Sequence, residues 1–322
     1  MARARHSASD ALAARFTARR AALLIGGYLV GLLGMIYWKG LYLSEDRYFL
    51  ILLVPALALG VARRYVIDFF PFIALMLAYE ELRGVAHLIS PHPYYLPQID
   101  IDKMLFNGTI PTVWLQGKLW NGHVQWWQQV LDVLLHLHFI VPPTILFVVW
   151  LYDRARYYRF AITILVVSYL GALGFALWPA APPWMASQHH VIPHIAEIAS
   201  RISAVQVGGA KVTSHSSYIV GHLTRNASAA VPSLHAAYSF MVILMAFSIN
   251  RRLGPFGIVY AFAMWFTIVF FGEHYVSDAL IGIALAGLVW LGVRRVLPHT
   301  WFAGPFPAPI ASARGGLRRR ST

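Results

Sequence analysis

Eight stretches of this chain are apolar and long enough to be read as helices crossing a bilayer: residues 21–38, 48–62, 66–88, 128–151, 160–178, 233–249, 255–271 and 276–293. About 20 such residues span the hydrocarbon layer as a helix. With no water there, every backbone donor and acceptor has to be satisfied within the segment. The expected fold class is therefore all-α, a polytopic membrane helical bundle of about eight transmembrane helices. The composition agrees, with 58% of 322 residues hydrophobic and 12% charged. The stretch 48–62 is short, and 66–88 carries Glu80, Glu81 and Arg83. No internal repeat stands out.

The net charge of +13 would suit a nucleic-acid binder if the arginines lined one aqueous face. They do not. With both termini on the cytoplasmic side, the inner segments hold 18 of the 26 Lys and Arg, and each inner loop has at least two arginines. That is the positive-inside bias of a membrane protein. The partner it implies is a membrane lipid and not a nucleic acid. Residues 1–20 read as a basic cytoplasmic tail, 21–297 as one transmembrane domain, and the Pro-, Gly- and Arg-rich 298–322 as a disordered cytoplasmic tail. The run 21–38 is longer than a secretory h-region and lacks a small-residue cleavage site, so it reads as a retained anchor. The chain has no cysteine, which removes disulfides and thiolate chemistry.

In this apolar background, His274 and Asp278 lie four residues apart where the last run resumes. If that run is already helical, both side chains share one face of its first turn. A carboxylate so placed can hold the imidazole's tautomer and stabilise its charge, which makes the ring a good nucleophile towards phosphorus. His235 opens another run, 39 residues upstream, enough for one helix out and one back. The topology that satisfies the charge bias also puts both histidines on the extracytoplasmic side. His235 is the expected general acid, since imidazole exchanges protons near neutral pH. Ser233 is placed as an N-cap whose helix start can meet phosphate oxygens.

The motifs Pro232-Ser233-Leu234-His235-Ala236 and His274-Tyr275-Val276-Ser277-Asp278 resemble the second and third signatures of the type 2 phosphatidic acid phosphatase superfamily. The leucine before His235, and Trp178-Pro179-Ala180-Ala181-Pro182-Pro183-Trp184 upstream, look more like the branch containing fungal inositol phosphorylceramide synthase. The core motifs thus lie within 178–278. The resemblance implies a lipid phosphatase or phosphotransferase working through a phosphohistidine on His274, with Asp278 orienting it and no metal or other cofactor. The branch suggests transfer of an inositol phosphate-like headgroup to an acceptor; hydrolysis uses the same intermediate with water as acceptor, and the sequence does not separate the two.

The chain departs from that family's pattern in its cations. The usual arginine six residues before the nucleophile is Ile268, and the first-motif region has no lysine. Arg225 and Lys211 are the leading substitutes for binding phosphate, ahead of Arg201, Lys118 and Lys103. Trp184 and His138 are placed with the substrate-binding residues. Asp132, His136 and His138 form a cluster for which bundle or substrate contacts are expected over a metal, and His189, His190 and His194 read as a solvated loop cluster. The tryptophans 114, 120, 126 and 127 suit a short helix in the headgroup region. The expected localisation is the plasma (inner) membrane. The rival reading is a non-catalytic lipid transporter or binding protein on the same scaffold, favoured by the missing arginines and opposed by the complete His274, Asp278 and His235 set.

Overall fold

The computed structural model describes residues 27, 45–89, 92–206 and 229–297. The two tails, most of the first expected span, and Lys211 and Arg225 lie outside the described residues. Twelve α-helices follow in order among those described: α1 Glu45–Ala58, α2 Ala62–Ile89, α3 Leu96–Leu105, α4 Pro111–Leu119, α5 Trp126–His136, α6 Val141–Tyr152, α7 Arg154–Leu177, α8 Pro183–Gln188, α9 Ile198–Gln206, α10 Leu234–Ile249, α11 Gly254–Phe270 and α12 Val276–Val296. Extended pairing among the described residues is limited to two isolated bridges, Tyr94 with Ala180 and Ala180 with Ala229.

The all-helical expectation holds; the count of eight spans is met only in part. Among the described residues, three helical segments are long and apolar enough to cross a membrane: α7, Arg251–Phe270 (α11 with its leading 3₁₀ turn) and α12. A fourth results if α5 and α6, bent by 50° at a short break, count as one span. The expected continuous helix over 128–151 is thus broken, by a 3₁₀ turn at Leu137–Phe139. Pro142 and Pro143 explain this: lacking N–H groups, they can stand in the first turn of α6 but cannot carry a helix through. Helix α1, with 14 residues, and α10, with 16, are short for spans. The tryptophan-rich segment forms α4 and the start of α5, with Trp114 and Trp126 exposed.

Helices α1, α2, α6, α7 and α10 share the main core, built on Phe69, Phe147, Trp150, Tyr157, Phe160 and Met241. Its ends differ sharply. At one end, buried Asp68 accepts from Trp150 Nε1 (2.8 Å), Arg154 Nε (2.7 Å) and Tyr158 Oη (2.7 Å). At the same end Arg156 donates to the Ser248 carbonyl closing α10, and Arg159 Nε to the Leu297 carbonyl closing α12 (3.1 Å). The starts of α10 and α12 meet at the other end, where Ser233 N donates to the Asp278 carbonyl (3.1 Å). The length of α10, roughly 24 Å for its 16 residues at 1.5 Å each, separates the arginine end from the end bearing the histidines.

Missing side chains permit this meeting. A Cβ on Gly282 of α12 would run into the Ser233 carbonyl oxygen, and one on Gly174 of α7 would stand 2.8 Å from Pro232 Cδ. Gly282→Ala is therefore expected to cost about 1–3 kcal/mol by overpacking and to lower activity by displacing His235. Gly287→Ala, whose Cβ would meet Phe240 at an ordinary 3.8 Å, should leave the melting temperature unchanged or higher. Thermal melts of both variants in detergent check the contrast.

Candidate active site

His274 sits on a turn, not on a helix. Helix α11 ends at Phe270, and Gly272 follows in the left-handed region (φ +79°), the usual way to end a helix with glycine. The Ile268 carbonyl then takes both the Glu273 and His274 amides (2.9 and 3.1 Å), and the Gly272 carbonyl receives Trp184 N (3.0 Å). Helix α12 begins only at Val276, so the shared helical face expected for His274 and Asp278 does not exist. Asp278 Oδ2 instead accepts from Tyr275 N at 2.8 Å and stays 3.7 Å from His274 Nδ1.

The ring is held by the backbone. His274 Nδ1 lies 3.0 Å from the Ala230 carbonyl oxygen. A carbonyl can only accept, so Nδ1 carries the proton and Nε2 keeps a lone pair. Ala230 is positioned by its neighbour: Ala229 bridges to Ala180, which bridges to Tyr94, so three separate chain segments lie side by side. This gives the Trp178–Trp184 motif a physical role at the site. Burial pushes the His274 imidazole down to about 4, with the hydrogen bond to Ala230 acting the other way. At neutral pH the ring is uncharged, with the lone pair a nucleophile requires.

Nε2 faces the second histidine. His235 Nδ1 lies 3.2 Å from His274 Nε2, and the ring centroids are 5.4 Å apart. Ser233 caps α10 through Oγ to Ala236 N (3.3 Å) and is fully buried. The Leu137–Phe139 break brings in His138, whose buried ring centroid lies 4.3 Å from that of His235 and which stacks on Tyr238 at 5.2 Å. Tyr238 Oη in turn bonds Ser168 Oγ at 2.6 Å. Asp132 and His136 form a separate pair, 3.6 Å apart. His189 and His190 are exposed in a turn after α8, and His194 is also exposed.

Asp102 of α3 is a participant that periodicity and spacing did not single out. Its fully buried carboxylate accepts from Val276 N (3.1 Å) and Ser277 N (2.9 Å) at the start of α12. Burial pushes this carboxyl up, while the Ser277 and Val276 amides pull it down. Gln116 of α4 adds a second tie, donating to the Ala196 (3.1 Å) and Phe270 (2.8 Å) carbonyls. The short helices α3 and α4 thus brace the turn that presents His274. The two carboxyl groups already take the first amides of α12, so those amides are not open to an anion.

Of the cations expected to meet phosphate, Arg201 lies over the Trp120 ring at 5.5 Å, and Lys103 and Lys118 are exposed. Ile268 is fully buried among Ala236, Met264 and Ala279, with no room for a charge. The half-buried Trp184 is tied to the histidine turn by its backbone.

A paired imidazole site with a fixed free-base nitrogen can accept and release a phosphoryl group. Comparison with known proteins gives that chemistry a family. The model of the PAP2 superfamily matches residues 106–292. A phosphoinositol dihydroceramide synthase of Bacteroides thetaiotaomicron is 31% identical over 248 residues, covering 71% of this chain and 76% of that protein. No solved structure matches. The matched region contains both histidines and most of the helices that position them, and the chain belongs to the PAP2 superfamily.

Proposed function

We propose that this integral membrane enzyme transfers a phospho-headgroup, phosphoinositol, from a phospholipid to the hydroxyl of a ceramide-like lipid at the extracytoplasmic face. The observation that carries the reading is the 3.2 Å approach of His235 Nδ1 to His274 Nε2, with His274 Nδ1 tied to the Ala230 carbonyl. In the first step Nε2 attacks phosphorus, the bond to the diacylglycerol oxygen breaks, and His235 gives that oxygen a proton. The headgroup is then held on His274 as a phosphohistidine. In the second step His235 takes the proton of the acceptor hydroxyl, whose oxygen attacks phosphorus and releases Nε2. A phosphate entering the site replaces the direct contact between the rings. Asp278 and Asp102 act behind the nucleophile by fixing the start of α12.

The acceptor and headgroup follow the relative named as a phosphoinositol dihydroceramide synthase. The side of the membrane follows from the arginines gathered at the end of the bundle away from the histidines. The eight-span topology, with both termini inside, is part of this reading.

The test is purified protein in vesicles of phosphatidylinositol with and without dihydroceramide. Diacylglycerol and phosphoinositol dihydroceramide should appear together, and only when the acceptor is present in quantity. Release of inositol phosphate with either mixture would make water the acceptor and the protein a hydrolase. No diacylglycerol in either case would leave the lipid-transporter reading standing.

A further inference from the structure

Helix α2 carries a buried stripe at spacings of three and four: Phe69, Phe72, Met76 and Tyr79, each at most 5% exposed. The next position of that stripe is Arg83. A helix that continues its core face into a charge needs a reason, because the position points inward. The stripe is linked to the histidines through α7. Ser168 Oγ contacts Met76 Sδ (3.7 Å) and bonds Tyr238 Oη (2.6 Å), and Tyr238 stacks on His138, which abuts His235. Met76 is thus level with Tyr238. Arg83 is two turns further out, roughly 10 Å, whereas His235 is three residues out from Tyr238, roughly 4–5 Å. Helical side chains lean towards their own N-terminus, so the long Arg83 side chain leans back towards the level of His235. Its charge is felt at both His138 and His235. Glu80, one turn earlier, holds the guanidinium through Arg83 Nη2 to Oε2 at 2.7 Å.

The site has a matching deficit. Asp278 and Asp102 use up the amides behind His274, and Ile268 replaces a cation with an apolar contact. A phosphodiester brought there needs positive charge from another direction. We propose that Arg83 binds the phosphate oxygens of the lipid substrate, presented from α2 in place of the cations missing from the C-terminal motifs, with Glu80 steering the guanidinium. This assignment rests on the phosphotransfer reading above.

The test uses full-length protein in phosphatidylinositol and dihydroceramide vesicles, with orthovanadate as a competing phosphate analogue. Arg83→Ala should lower kcat/KM about 10²–10³-fold, the usual effect of removing one oxyanion-stabilising group. It should also weaken vanadate inhibition at least about tenfold, and added guanidinium ion should restore part of the activity. Arg83→Lys should fall between, because it keeps charge and loses the fork. If Arg83→Ala does not remain monodisperse, Arg83→Lys is judged on vanadate inhibition instead. Activity within about threefold of wild type, or a loss with unchanged vanadate inhibition and no guanidinium rescue, overturns the assignment and leaves phosphotransfer intact. A wild type that neither turns over nor forms a phosphohistidine overturns both.

Discussion

His274→Ala is expected to abolish turnover, by at least about 10⁴-fold, the scale seen when a covalent nucleophile is removed. The argument is the tautomer. The Ala230 carbonyl holds the proton on Nδ1 and leaves Nε2 as the one ring nitrogen able to attack. Neither Asp278, whose Oδ2 is occupied by the Tyr275 amide, nor His235, already at the first turn of α10, can replace it from where it stands. The loss should not come from unfolding. The truncation leaves the Ala230 carbonyl without its partner, at about 1–3 kcal/mol, and a melt in detergent will show that cost separately. Incubation with headgroup-labelled phosphatidylinositol, followed by alkaline denaturation, should trap an acid-labile adduct on wild type and none on the variant. An equal adduct on His274→Ala would place the nucleophile elsewhere.

Much of this site was legible because two kinds of pattern agree. Apolar runs at helix length place α7, α11 and α12, and the 39-residue spacing returns His235 and His274 to the same end of the bundle. What was not legible depends on where a helix starts. The spacing of His274 and Asp278 suggests one helical face only if the helix includes both, yet it begins between them, after the turn that Gly272 makes. The group that holds the imidazole is then a backbone carbonyl, and backbone carbonyls leave no mark on composition. Asp102 is invisible for a similar reason: its partners are amides 174 and 175 residues away. Two further signals stand in the sequence itself. Pro142-Pro143 marks a new helix inside the run 128–151, and the stripe from Phe69 to Tyr79 points to Arg83.

His235→Gln should lower kcat/KM for a lipid phosphodiester about 10²–10⁴-fold, the range for loss of a general acid. Size alone does not identify the role, since a displaced helix would also slow the enzyme. The leaving group does. Diacylglycerol departs as an alkoxide that needs a proton, whereas nitrophenolate departs without one. If His235 supplies that proton across the gap now closed by its 3.2 Å contact with His274, a nitrophenyl phosphodiester should recover nearly all of the lost kcat/KM, which reports the first step alone, while the acceptor step that also uses His235 stays slow. The expected deficit with that substrate is within about tenfold. His138 packs against the same ring, so a glutamine at 235 keeps a neighbour to lie on and α10 keeps its Ser233 cap. An equal deficit for both leaving groups would remove His235 from proton transfer and make it a wall of the site.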